Sequence, residues 1–135
     1  MTLLAGAAVV DITPPAGLAM SGFVARTQPA TGMHDPLTAR ALAVGDTVLV
    51  VVDVVALSAV TCARIRARLP LPDDAVVMAA LHTHGAPVPT VENLGGAADP
   101  AFMARLEDGC VAAAHAALAD RRPARLLFGN GPDPG

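Results

Sequence analysis

Apolar residues occur in short runs along the chain, and glycine, proline or polar residues end each run. Residues 4–12 form the first run, which Thr13-Pro14-Pro15 ends because proline cannot continue a β-ladder. Residues 38–44 and 47–54 form two more runs around Gly45-Asp46, a turn-forming pair that predicts a β-hairpin. The second of these runs does not alternate with polar residues, which predicts a central strand buried on both faces.

A helix and another strand are predicted after the hairpin. Ser58 can cap a helix that extends to about Leu69, with Val60, Ile65 and Leu69 on one side. Residues 75–81 are again apolar and predict a strand. A strand, a helix and a strand in this order predict a βαβ unit, whose two strands lie parallel.

A longer helix is predicted in the last third of the chain. Asp99-Pro100 is a helix start, with aspartate as the N-cap and proline at the first helical position, and the helix extends to about Ala119. Its apolar side contains Phe102, Leu106, Val111 and Leu118. Residues 125–128 predict a final strand. The whole pattern predicts one α/β unit over residues 1–135, with a mixed sheet, at least one βαβ unit and two main helices.

The composition excludes several classes of protein. Hydrophobic residues make up 53% and charged residues 16%, which argues against disorder. The net charge is −3 and no arginine cluster is interleaved with aromatic residues, so nucleic acid is not an expected partner. The longest apolar run, residues 48–52, is too short to span a bilayer. The N-terminus lacks the positive charge of a signal peptide, so a cytoplasmic location is expected. Cys62 and Cys110 are expected to be small buried side chains rather than a disulfide.

Polar side chains that can bind a metal follow two of the predicted strands. His82 and His84 come just after residues 75–81, and Asp53 lies near the end of the preceding parallel strand. Ligands of open α/β sheets bind at this carboxyl edge. If the backbone stays extended, both histidines converge on one ion or one substrate; if Thr83 begins a turn, one can bind metal while the other contacts substrate. Asp53 is the nearest carboxylate that can orient an imidazole ring.

Each of these residues also has a simpler interpretation. A His-x-His motif is short and occurs by chance, and an aspartate that closes a buried strand often bonds only backbone amides. His34, which could also help to orient the site, lies beside Asp35-Pro36, a turn signal that fits a structural role equally well. His115 is expected to be a surface or packing residue of the last helix, and Glu92 to be solvated rather than a ligand.

Five segments of the chain occur in a specific order, namely Gly6 to Pro15, Met20 to Phe23, Gly32 to Ala41, Val50 to Asp53 and Leu81 to Pro87. In this order they resemble the N-terminal part of neutral, non-lysosomal ceramidases, and the short bacterial ceramidase-like proteins more closely than the secreted lipid-cleaving enzymes. The resemblance implies a Zn²⁺-dependent amidase that hydrolyses an N-acyl bond such as that of ceramide. It implies that His82 is a zinc ligand and that His84 is a catalytic contact to the substrate or transition state.

The sequence departs from the family pattern at two points. Gly85-Ala86-Pro87 replaces the usual Ser-Gly-Pro, so that a serine hydroxyl is lost. The family's other zinc ligands, a histidine, a glutamate and a tyrosine, lie beyond the length of this chain, which contains no tyrosine. The resemblance therefore implies an incomplete, N-terminal portion of a larger catalytic domain, inactive alone. Its expected partners are a small amide or lipid-like substrate, and either the rest of the same protein or further copies in a homo-oligomer. The alternative is a small non-enzymatic α/β module that binds a metal or a partner and retains the His-Thr-His edge.

Overall fold

The structure is a computed structural model that describes residues 2–89, 96–129 and 131. One mixed β-sheet forms the framework of these residues. Its strands are β1 (Leu4–Asp11), β2 (Thr38–Val44), β3 (Thr47–Val52), β4 (Val76–Ala80) and β5 (Arg122–Pro123). Their order across the sheet is β4-β3-β2-β1-β5. β1 pairs antiparallel with both β2 and β5, β2 pairs antiparallel with β3, and β3 pairs parallel with β4. The α/β class, the hairpin and the parallel pair are therefore confirmed.

Two α-helices complete the fold, and side chains cap both of them as predicted. In α1 (Ala59–Arg66) the Ser58 hydroxyl accepts a hydrogen bond from the Thr61 amide at 3.0 Å. In α2 (Pro100–Ala119) the Asp99 carboxylate accepts one from the Phe102 amide at 2.8 Å. Each bond satisfies an amide that has no partner within the first turn of its helix. Because α1 connects β3 to β4, the three elements form the predicted βαβ unit.

The hydrophobic core lies between α2 and one face of the sheet. Phe102, Leu106 and Cys110 of α2 are fully buried against alternate residues of β2 and β3. Gly109 brings the helix unusually close to the end of β1, because a β-carbon at this position would overlap the Ile12 side chain. This close approach packs the helix tightly on the sheet. The following strand residues of the core have no exposed surface: Ala39, Ala43, Val48, Val50 and Val52.

The opposite face of the sheet is open over the described residues. Two rows of paired residues run across it, Val9-Arg40-Val51-Ala79 and Ala7-Leu42-Leu49-Val77. Val9 is 64% exposed, Val77 49% and Leu42 45%. This set of eight residues is called the open face below. It corrects the prediction that β3 is buried on both sides, because Leu49 and Val51 are only half-buried there.

Three other predictions need correction. Residues 125–128 do not form a strand; the pairing with β1 ends where the Ala124 amide bonds the Leu3 carbonyl, and the apolar side chains that follow are exposed. Val60 lies on the outer side of α1, 62% exposed, whereas Ile65 and Leu69 enter the core. Cys62 is half-buried rather than buried, although both cysteines are free thiols.

Neither of the helices in the described part of the chain combines the length and the apolar character that a bilayer crossing requires.

Candidate functional site

The candidate site forms where β3 and β4 end side by side. The Leu81 amide donates to the Val52 carbonyl at 3.0 Å, which continues the parallel pairing one residue beyond β4. The backbone then turns at His82, whose φ of 61° makes it the one non-glycine residue with positive φ in the described ranges. This left-handed conformation is rare for a residue with a β-carbon, and such conformations cluster at functional sites. Of the two predicted arrangements of His82 to His84, the chain therefore adopts the turned one rather than the extended one.

The ring of His82 is held by a main-chain carbonyl. Its Nδ1 lies 2.7 Å from the oxygen of Val55, a residue of the loop after β3. A carbonyl can only accept a hydrogen bond, so Nδ1 carries the proton of the neutral ring. The Nε2 lone pair is then available to an electrophile, which is the arrangement found in metal-binding histidines.

His84 brings a second imidazole nitrogen to the same place despite the turn. The Nε2 atoms of His82 and His84 are 3.4 Å apart, and the ring planes are inclined by 71°. This separation is longer than the usual 2.7–3.2 Å of a hydrogen bond. Two nitrogens bound tetrahedrally to one zinc ion at about 2.05 Å are separated by about 3.4 Å. The spacing therefore places both Nε2 atoms around one small volume, where one can bind a zinc ion and the other can contact a group bound to that ion, so the residues present fit one side of a zinc site.

Three residues of the first long loop surround His84, and the sequence did not indicate any of them as part of the site. The edge of the Phe23 ring meets the His84 ring at a centroid distance of 4.7 Å and an interplanar angle of 75°. Gly22 lies directly under the imidazole, where a β-carbon would overlap the ring, and its φ of 101° independently favours glycine. Arg26 donates from Nη1 to the His84 carbonyl at 2.7 Å.

Backbone pairing attaches this loop to the segment after the histidines. The Ser21 amide donates to the Ala86 carbonyl and the Val88 amide to the Ala19 carbonyl, both at 3.1 Å. Ser21 is completely buried, and its hydroxyl lies 3.3 Å from two carbonyl oxygens, those of Ala86 and Pro87. The only sequence signal for this contact is the length of the 16–37 connection, since long loops in compact domains are often functional.

Asp53 does not orient either histidine. Its Oδ2 accepts from the amide of Thr38 at 2.8 Å and from the Thr38 hydroxyl at 2.7 Å, and its Oδ1 accepts from Arg40 Nη1 at 3.0 Å. The carboxylate therefore joins β3 to the start of β2, and the Val55 carbonyl orients His82 in its place. The expectation for Asp53 failed because the turn at His82 directs the ring towards the loop after β3.

A cavity of about 500 Å³ lies beside the segment that carries the histidines, and Leu81, Thr83 and Gly85 line it rather than His82 and His84. Leu81, Thr83 and Gly85 form one wall, and Arg40 and Asp53 lie on another. A volume of this size is typical of pockets for small molecules. The lining mixes methionine, leucine and proline side chains with these few polar groups.

The remaining histidines lie away from the pair. His34 is on the cavity wall, but its side chain is fully exposed, with Nε2 3.8 Å from the carboxylate of Asp35. His115 is on the outer side of α2, where its Nε2 lies 3.3 Å from the Arg68 carbonyl, in agreement with the predicted surface role. Glu92 lies outside the described residues. Within the described ranges, no group of three or more His, Cys, Asp or Glu side chains is placed to hold a metal ion.

Comparison with known proteins identifies structural relatives only. No protein-family model matches the chain, and no curated protein matches its sequence. Solved structures do match, among them a neutral ceramidase from Pseudomonas aeruginosa and a ceramidase complexed with C2. Each superposes with a TM-score of 0.79 and 26% sequence identity over 91% of this chain. The chain spans 22% of the length of each of these proteins. The fold is therefore ceramidase-like.

Proposed function

We propose that this chain supplies the His-Thr-His part of a zinc-dependent amidohydrolase site, with His82 as a metal ligand and His84 as a contact to the substrate. The observation that carries the proposal is the 3.4 Å separation of the two Nε2 atoms at the carboxyl edge of β3 and β4. The ceramidase-like fold supports the same reaction class, hydrolysis of an N-acyl amide.

The two histidines have different roles in this proposal. The Val55 carbonyl keeps the proton of His82 on Nδ1, so that Nε2 presents its lone pair to the ion. Bound Zn²⁺ supplies Lewis-acid polarisation of a carbonyl group and a water molecule that ionises near neutral pH. His84, with a proton on Nε2, donates a hydrogen bond to the amide oxygen as negative charge develops there.

The cavity beside this segment is the proposed place for the acyl chain of the substrate. Thr83 and Gly85 line it, whereas the rings of His82 and His84 do not, so the amide group has to extend past this wall to reach the ring nitrogens. Ceramide is one amide of this kind. The chemical class proposed here is an N-acyl amide with an apolar chain.

Further ligands must complete the site. A catalytic zinc ion usually has three protein ligands and one open position, and in this proposal the described residues supply one of the ligands, His82, beside the imidazole of His84. We propose that the rest of a ceramidase-like catalytic domain supplies the others, or that a second copy of the chain does so.

Titration of the chain with Zn²⁺ by isothermal calorimetry tests the metal part of the proposal. We expect weak binding, because most of the ligands lie outside this part of the site, and the His82→Ala variant should bind at least about tenfold more weakly still. His115→Ala is the matched control, because it removes an exposed imidazole whose polar contact is the Arg68 carbonyl rather than a residue of the site. Equal affinity of the His82→Ala variant and the unmodified chain would contradict the proposal.

The alternative function is a non-enzymatic module that binds a metal ion or a protein partner. It is favoured by one observation, that fewer than three candidate ligands come together in the described residues. A chimera separates the two functions: this chain replaces the superposed segment of the Pseudomonas aeruginosa ceramidase, and hydrolysis of an N-acyl amide is measured. An active chimera that loses activity on His82→Ala supports the amidohydrolase. A folded, zinc-binding but inactive chimera supports the module.

A further inference from the structure

We propose that Phe23 and Arg26 are positioning residues, which hold the His84 ring beside His82 in the arrangement that the site requires. Why the site requires this geometry rests on the proposed function. The positioning of the His84 ring can nevertheless be tested without measuring hydrolysis. It concerns two side chains of the first long loop, the exposed Phe23 and the half-buried Arg26.

The two imidazoles are held by different means. His82 is fixed by a hydrogen bond from its own ring to the Val55 carbonyl, and the ends of β3 and β4 set that distance. His84 instead makes an edge-to-face contact with the Phe23 ring, while Gly22 leaves room for the imidazole underneath. The position of His84 therefore depends on a loop more than 50 residues earlier in the sequence.

Arg26 contacts both His84 and Phe23. Its Nη1 donates to the His84 carbonyl at 2.7 Å and lies 3.4 Å from the Ser21 carbonyl. The guanidinium carbon is also 4.8 Å from the centroid of the Phe23 ring, which is within the range of a cation–π contact. A turn closed by the Arg26 amide and the Phe23 carbonyl, 3.0 Å apart, brings the two side chains together. One arginine thus fixes the backbone of His84 and the aromatic ring that packs on its imidazole.

The exposure of Phe23 indicates that its role is not to fill the hydrophobic core. Phe23 is 55% exposed, and large aromatic side chains that serve only packing are normally buried. The buried residue of the loop is Ser21, whose hydrogen bonds attach the loop to the chain after the histidines independently of Phe23 and Arg26. Truncation of either Phe23 or Arg26 should therefore release the His84 ring and leave the loop attached.

The test uses nuclear magnetic resonance of the full chain with isotope-labelled histidine. Co²⁺ serves as a paramagnetic probe that occupies zinc sites. In the unmodified chain, we expect Co²⁺ to shift the ring signals of both His82 and His84, and the metal-free chain to show a nuclear Overhauser effect between the two rings. In Phe23→Ala and in Arg26→Ala, the shift of His82 should remain, whereas the shift of His84 and the inter-ring effect should be lost.

Conservative variants and a distant control make the result specific. Phe23→Tyr keeps the aromatic ring and Arg26→Lys keeps a cationic donor, so both should restore the His84 signals at least in part. Arg64→Ala removes an ion pair between α1 and α2 and should leave both histidines unchanged. If an alanine variant is not folded by its amide spectrum, Phe23→Leu replaces it, because leucine keeps the apolar character of the position.

Unchanged His84 signals in folded Phe23→Ala and Arg26→Ala would overturn the positioning role. If Co²⁺ shifts neither histidine of the unmodified chain, the metal part of the proposed function fails. The inter-ring effect in the metal-free variants then still decides the positioning role, since it depends only on the distance between the two rings.

Discussion

The Nδ1 atom of His82 lies 2.7 Å from the carbonyl oxygen of Val55, and this contact joins the loops that follow two parallel strands. It fixes which nitrogen of the neutral ring carries the proton. His115 has the opposite arrangement, since its Nε2 lies 3.3 Å from the Arg68 carbonyl. The chain therefore contains two histidines that should adopt different tautomers for a stated structural reason.

We predict that neutral His82 is the Nδ1–H tautomer and neutral His115 the Nε2–H tautomer. Nitrogen-15 chemical shifts of the two rings at a pH where both are neutral measure this directly. An Nε2–H tautomer of His82, or rapid averaging between its two tautomers, would contradict the hydrogen bond to Val55 and weaken the case for His82 as a ligand.

Asp53 provides a second prediction, because its carboxylate bonds Thr38 and Arg40 rather than a histidine. Asp53→Ala leaves the Thr38 amide and hydroxyl without their acceptor at a nearly buried position, and it should lower the free energy of unfolding by about 2–3 kcal/mol. Arg40→Ala should cost about 1 kcal/mol or less, because the Arg40 side chain is half-exposed. Urea denaturation measures both values.

The Zn²⁺ affinity of Asp53→Ala should stay within about twofold of the unmodified chain, because Asp53 and His82 share no partner. A large loss of metal affinity with little loss of stability would instead restore Asp53 as a residue that orients the site.

The sequence was sufficient for the framework of the fold and for the location of the histidines. Apolar runs, the Gly45-Asp46 turn and the caps at Ser58 and Asp99 are local signals, and each specifies its element without reference to the rest of the chain. The open face was not predictable in this way. An apolar residue in a strand shows that burial is favourable, but it does not show whether anything in the same chain covers it.

The surroundings of the histidines were beyond the reach of the sequence for a different reason. Val55 acts through its main-chain carbonyl, which carries no mark in the sequence, and Phe23 and Arg26 reach His84 only because Ser21 pairs with Ala86. The turn at His82 determines which groups surround the rings of His82 and His84. A histidine with positive φ has no sequence signature when the following residue is threonine, so the extended and turned alternatives were equal beforehand.

The two free thiols should differ sharply in reactivity. Burial, and to a smaller extent the neighbouring Cys62 and Glu107, raises the pKa of Cys110 to about 12, so almost none of this thiol is ionised at pH 8. We predict that iodoacetamide at pH 8 labels the half-buried Cys62 first and labels Cys110 only when the chain unfolds, as mass spectrometry of the intact chain can show. Because the pKa of Cys110 is higher in the folded chain, its stabilising effect is complete below pH 9 and is lost as the pH rises towards 12. Cys110→Ala should reduce this alkaline loss, and rapid labelling of both thiols in the folded chain would contradict the burial of Cys110.

The open face predicts that substitutions on the surface and in the core change the free energy of unfolding by different amounts. Leu42 lies in the centre of that face, between Ala7 and Leu49 in the paired row, and is 45% exposed, whereas Leu106 of α2 is completely buried. Leu42→Gln should therefore change the free energy of unfolding by less than about 1 kcal/mol, whereas Leu106→Ala should lower it by about 2–5 kcal/mol. Urea denaturation of the two variants measures this contrast.

The same Leu42→Gln variant tests whether the open face binds other apolar surfaces. Contiguous exposed apolar residues mark contact sites, so the unmodified chain should bind the dye 1-anilinonaphthalene-8-sulfonate and associate with itself at high concentration. The polar amide of Leu42→Gln interrupts the row between Ala7 and Leu49, and it should weaken both effects without a change in fold. Val60→Gln is the control, because Val60 is even more exposed than Leu42, 62% against 45%, but lies on the outer side of α1, away from the sheet. Sedimentation velocity follows the association, and an equal decrease in both variants would show that general hydrophobicity, rather than the open face, controls it.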